Sequence, residues 1–107
     1  MWPIGISTGI AYRHPIEATL EPIRASGLTQ IEVSTAPQHV DLRHDWALRD
    51  LAQRIRERGL AVQSLHAPFG HDINITSPDP HQRAQAIERL VRAADALAIL
   101  GGGMYVI

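Results

Sequence analysis

At 107 residues the chain has room for one domain at most, a small one for any fold that alternates strands and helices. Apolar and charged fractions of 45% and 20% are ordinary globular values that exclude wholesale disorder, and a net charge of −1 gives no general attraction to polyanions. All ten basic residues are arginines spread over predicted helix surfaces, which argues against nucleic acid as a partner, and the lack of cysteine excludes disulfides, thiolate catalysis and cysteine metal clusters.

No basic region leads into an apolar N-terminal segment, and no apolar run approaches the roughly 20 residues that span a bilayer. A soluble, cytoplasmic protein with no membrane partner is the expectation.

Ile4-Gly5-Ile6-Ser7-Thr8 is a short apolar run with β-branched residues and reads as the first strand. Pro15 suits a first helical position, and Ile16, Leu20 and Ile23 mark one buried helix face. Pro22 predicts a kink or a displaced start there, and Ser26-Gly27 an end. Gln30-Ile31-Glu32-Val33-Ser34 is the second strand, and 38–44 has no clear period and reads as loop. Asp45 can cap the next helix, with Leu48, Leu51, Ala52 and Ile55 as its apolar stripe and Gly59 as its stop.

Ala61 to His66 is the third strand, and it delivers a titratable, metal-competent imidazole just where Pro68 stops the strand. A polar loop follows, and Asp79-Pro80 combines a capping side chain with proline at the first turn of a last helix. Ala84, Ile87, Val91, Ala94 and Ala98 are expected to form its buried face. Gly101-Gly102-Gly103, lying after a helix and before a strand, is a cap and connector rather than a phosphate loop, and Met104 to Ile107 is a fourth strand.

Helix-length connections between successive strands favour a parallel sheet with right-handed crossovers. The strands recur every roughly 30 to 40 residues, near the unit of a (β/α)8 barrel of about 250 residues. The fold class is therefore α/β: residues 1–107 as a single domain, an incomplete TIM barrel of about four βα units with strands near 4–8, 30–34, 61–66 and 104–107.

His66-Ala67-Pro68-Phe69, the following Asp72-Ile73-Asn74-Ile75-Thr76-Ser77-Pro78-Asp79 and Arg83 resemble the third βα unit of the xylose-isomerase-like TIM barrels, a superfamily of sugar and sugar-phosphate isomerases and epimerases and of apurinic-site endonucleases. Gly27 with Ile31-Glu32-Val33, and Leu100-Gly101, support the resemblance less specifically. It implies His66 as a metal ligand or substrate-binding residue, Glu32 as a catalytic carboxylate at the end of strand two, and Asn74 as a substrate-loop residue that mainly shapes the loop. It also implies a divalent metal (manganese, magnesium, zinc or cobalt) in the parent enzyme, with most ligands on later strands, so that this chain need hold none itself. The substrate would be a sugar or sugar phosphate.

On the residues themselves, His66 reads as a core histidine or a ligand, and Glu32 as a general base, a substrate hydrogen-bonding group or an arginine partner. His71 is expected to be exposed, and His14, His39, His44 and His81 to be surface residues or caps. Trp2, Tyr12 and Trp46 suit packing or a sugar site. An isolated half barrel is expected to present apolar inward faces and unpaired strand edges, and so to be a piece of a longer isomerase or to self-associate. A zinc phosphodiesterase of the apurinic-site type and a non-catalytic, self-associating half-barrel module are the alternatives.

Overall fold

The computed structural model describes residues 3–107, so Trp2 lies outside the described residues. Its four strands are β1 (Gly5–Ser7), β2 (Gln30–Ser34), β3 (Ala61–His66) and β4 (Met104–Val106). They pair in parallel in chain order, as helix-length crossovers require. Three helices connect them: α1 (Glu17–Ala25), α2 (Asp45–Glu57) and α3 (Pro80–Leu100). The result is four parallel strands alternating with helices, half of a TIM barrel.

The first strand is shorter than its apolar run. Thr8 already belongs to a 3-10 helix, Thr8–Ala11, because the Ser7 hydroxyl accepts from the Gly9 backbone N–H and turns the chain. Helix α1 starts at Glu17, two residues after Pro15, and runs through Pro22, so its start is not displaced. Helix α2 has His44, not Asp45, at its N-cap and no capping side chain. Asp79 caps α3 as expected, accepting from the His81 N–H at 2.9 Å, and Gly101 ends it at φ 84°, a left-handed conformation that favours glycine.

The core lies between one face of the sheet and the helices. Ile31, Val33 and Leu65 from the strands meet Leu20 and Ile23 of α1, Leu48, Leu51 and Ile55 of α2, and Leu97 and Leu100 of α3. The α2 stripe is the expected one. The α3 face is not: Ala86, Ala93, Ala96, Leu97 and Leu100 are buried, whereas Ile87 and Val91 are 52% and 56% exposed. Small side chains let this long helix lie close to the sheet and to α2, and that close approach decides between its two apolar stripes. Tyr105 ties β4 to α3 by donating its hydroxyl to the Leu90 carbonyl at 2.7 Å, and burial raises its pKa.

Candidate functional site

A break in strand alternation builds the site. Ile31 pairs with Val62, but Glu32 pairs with Ser64, so Gln63 is an extra residue on β3. Such a bulge shifts every later side chain to the opposite face from the one simple alternation would give it. Val62 and Leu65 therefore both point into the helix-side core, and Ser64 and His66 point to the face that no helix covers. Two neighbouring rows result there: Ser7, Glu32, Ser64 and Met104, then Ser34, His66 and Val106.

This uncovered face is polar, contrary to the expectation that a half barrel would present apolar side chains inward. Of the large exposed apolar residues, Met104 is the one in these rows, while Ile4, Ile10, Phe69, Ile87 and Ile107 lie elsewhere. A hollow of about 270 Å³ lies on it, lined by Gly5, Ile6, Ser7, Glu32, Gln63 and Ser64. The Ser64 hydroxyl donates to Glu32 Oε2 at 3.2 Å, and Glu32 has no arginine partner among the described contacts.

His66 is half-buried, and its Nδ1 lies 2.9 Å from the Ala67 carbonyl oxygen. A carbonyl only accepts, so Nδ1 carries the proton and Nε2 keeps its lone pair, free to accept from a hydroxyl or to bind a cation. The Phe69 ring stands edge-on to the imidazole at 5.3 Å between centroids. Thus β2 and β3 bring Glu32 and His66 to adjacent rows of one face. Asn74 is not brought there: its Oδ1 accepts from the Thr76 N–H at 2.9 Å and hydroxyl at 2.7 Å, shaping the loop. Arg83 braces the same loop by donating to the Ser77 carbonyl at 2.6 Å.

Above the strand ends the loops after β2 and β3 line a larger cleft of about 940 Å³ with the middle of α3. Ser34, Val40, Pro68 and Ile73 are in its lining, with Tyr12 and Phe69 as aromatic walls. Trp46 is not part of it and stands exposed beside His44. His14, His44, His71 and His81 are exposed as expected.

His39 is the exception, and a correction: it is 4% exposed. Its Nε2 donates to the Ala11 carbonyl at 3.2 Å and its Nδ1 accepts from the Thr8 hydroxyl at 3.1 Å, while Thr8 Oγ1 accepts from the Ser34 N–H at 2.9 Å. The loop after β2 is thereby pinned to the end of β1. No periodicity marks a residue held this way; only its place in an otherwise patternless loop distinguishes it.

Nearby carboxylates are neutralised in place. Arg43 side-chain hydrogen bonds, then His44 and the Arg43 N–H, hold the Asp41 pKa well below the usual carboxylate range. Arg89, by its hydrogen bond, lowers that of Asp72. Among the described residues no three His, Asp or Glu side chains gather to hold a metal ion. His66 and Glu32 offer two donors on neighbouring rows, short of the three or four protein ligands that zinc takes, so these residues do not make a metal centre by themselves.

A family model described as the xylose isomerase-like TIM barrel matches residues 20–107. The chain belongs to that family. Three solved structures show the extent of the likeness. That of D-psicose 3-epimerase in the presence of D-fructose superposes with TM-score 0.74 and 17% identity, over 94% of this chain and 35% of that one. A protein from Thermus thermophilus soaked with zinc chloride gives 0.68 and 26%, over 95% and 36%. A xylose isomerase domain protein from Planctomyces limnophilus gives 0.70 and 15%, over 97% and 40%. This chain thus spans little more than a third of the length of these three structures, and its four strands are the first half of the barrel. No curated protein matches it. None of its described helices is long and apolar enough to cross a membrane.

Proposed function

We propose that this chain forms the N-terminal half of a sugar or sugar-phosphate isomerase or epimerase, that its uncovered face is its share of the active site, and that the chain alone turns over no substrate. The observation that carries the reading is the polarity of that face. A (β/α)8 interior is ordinarily filled by bulky branched side chains. Here Ser7, Glu32, Ser34, Ser64 and His66 occupy adjacent inward positions, donors and acceptors of the kind that sugar hydroxyls require.

In such a reaction a proton moves on the carbon beside a carbonyl. Glu32, held by Ser64, is the carboxylate in position to take it, and His66 Nε2 accepts from a neighbouring hydroxyl and fixes the sugar's orientation. We assign the divalent metal of the whole enzyme to a centre that this chain does not build, with His66 as its contribution. The open edges of β1 and β4 need a cover, which is either the rest of a longer barrel or a second copy. Sedimentation distinguishes the two. A cytoplasmic setting belongs to the same proposal.

The test is a titration of the isotopically labelled 107-residue protein with D-fructose, D-psicose and glycerol, followed by amide chemical shifts. The two ketoses should move Glu32, Ser64 and His66, glycerol should not, and His66→Ala should abolish the shifts. Equal response to glycerol, or none to any sugar, refutes the sugar site. Isomerisation by the purified chain, lost in Glu32→Gln, refutes its inactivity.

A further inference from the structure

We propose that the outward face of α3 pairs with the same face of a second copy of this chain, the two helices running parallel about a twofold axis. This contact lies on the outside of the ring and is independent of the sugar reading and of whatever covers the strand edges.

The face is apolar without being part of the core. Ile87 and Val91 are 52% and 56% exposed, and Ala84, Ala94 and Ala98 continue their stripe. Leu100, buried in the core, follows Val91 by nine residues, about two and a half turns, so the stripe points away from the sheet. In a (β/α)8 ring the helices form the outer layer, and a helix following β4 would pack beside α3. Closing the barrel therefore leaves this stripe in water. The exposed sides of α1 and α2 are polar by contrast, carrying Glu21 and Arg24, and Asp50, Gln53 and Glu57.

Spacing and charge identify the occupant. Residues 84, 87, 91, 94 and 98 recur at alternating steps of three and four, the a and d positions of a two-heptad seam. Three alanines among them let two helix backbones approach closely. Arg83 then falls at g, and Glu88 and Asp95 fall at e. In a parallel pair g meets the following e of the other helix, so Arg83 faces Glu88 of the second copy, and symmetry makes the contact twice. Glu88 has no hydrogen-bond or ion-pair partner among the described contacts, and Arg83 spends one N–H on the Ser77 carbonyl and keeps others. An antiparallel pair would set e against e, acid against acid. The face is thus complementary to itself in one orientation.

The seam is about 21 Å long at 1.5 Å per residue, and one such helix pair buries less than the roughly 800 Å² per partner of a standard stable interface. The expected dimer is weak. In sedimentation equilibrium the mass should rise from near 11.8 kDa at about 10 µM toward twice that at about 1 mM. Val91→Glu, at an exposed position that leaves folding intact by circular dichroism, should stay monomeric throughout. Glu88→Arg, which sets arginine against Arg83 of the other copy, should weaken association about tenfold. The chain has no cysteine, so Ala98→Cys reports orientation: a parallel pair places the two thiols together, and oxidised glutathione should link them severalfold faster than those of Asp50→Cys on α2. A wild-type chain monomeric at about 1 mM overturns the proposal. So does association unchanged in Val91→Glu, which assigns it to the open strand edges, and so does Ala98→Cys linking no faster than Asp50→Cys.

Discussion

Replacing His39 with leucine tests whether the loop after β2 is held by polar contacts or by packing. Leucine preserves the burial of a side chain that is 4% exposed, so the cost isolates the hydrogen bonds. One group loses its partner, the fully buried Thr8 hydroxyl proton, while the half-buried Ala11 carbonyl loses one of two donors and keeps the His14 N–H at 2.9 Å. A buried polar group left unpaired costs about 1–3 kcal/mol. Taking that range for Thr8 and little for Ala11, which stays paired, gives a loss of about 1–3 kcal/mol. Against a total stability of order 5–15 kcal/mol this is a visible shift of the urea midpoint followed by circular dichroism. In the cycle with Thr8→Val the two changes should couple by about 1 kcal/mol, because they share one bond. A loss below about 0.5 kcal/mol, the value for an ordinary surface position, would refute the pin and return His39 to the solvent.

Gly102→Ala should destabilise the chain by about 1–3 kcal/mol, since the added Cβ would overlap Leu97 Cδ1 and lie 3.1 Å from Val62 Cγ1; Leu97→Val in the same protein should recover part of the loss. The Asp41 carboxyl should titrate below the ordinary value of about 3.9, in carbon-13 spectra, and move upward in Arg43→Gln. Its folded pKa is depressed, so any stability it contributes is present above the unfolded value and lost as pH falls through the folded one; a chain less stable at pH 7 than at pH 3 on this account would contradict the sign.

Much of the fold was legible because its signals are local. Asp79-Pro80 announces α3 by chemistry that acts within one turn, and Leu48, Leu51, Ala52 and Ile55 leave α2 a single apolar face. The failure on α3 has the opposite cause. An alanine-rich helix carries two apolar stripes, and Ile87 and Val91 mark the wrong one, since the core takes the stripe of Ala93, Ala96, Leu97 and Leu100. Those two side chains are left on an outer flank. The polarity of the uncovered face was hidden for a related reason. Strands buried on one side only were read by their apolar members, and Ser7, Ser34 and Ser64 were assigned to no face, although their rows contain Glu32 and His66.

The bulge had a signal that period counting overlooks: Val62 and Leu65, three apart in one short strand, cannot share a face under strict alternation. Since both are buried against the helices, one residue between them must be extra, and Gln63, exposed and left out of the β2 register, is that residue. Deletion and insertion should therefore differ in sign. Removing Gln63 leaves Val62, Ser64, Leu65 and His66 in regular alternation with their present facing. The bond from the Gly103 N–H to the Gln63 carbonyl is lost, for about 0.5–1.5 kcal/mol. Inserting one alanine after Ser64 would instead turn Leu65, now 0% exposed, away from the core and press His66 into it. The first effect forfeits about 1.5–3 kcal/mol of apolar burial and the second leaves a buried imidazole unpaired, together enough to abolish a cooperative urea transition. The deletion variant should unfold cooperatively and keep the His66 Nε2 lone pair open, visible as an unchanged nitrogen-15 tautomer pattern. Were strict alternation correct and the bulge absent, the deletion would invert the strand and be the destructive change of the two.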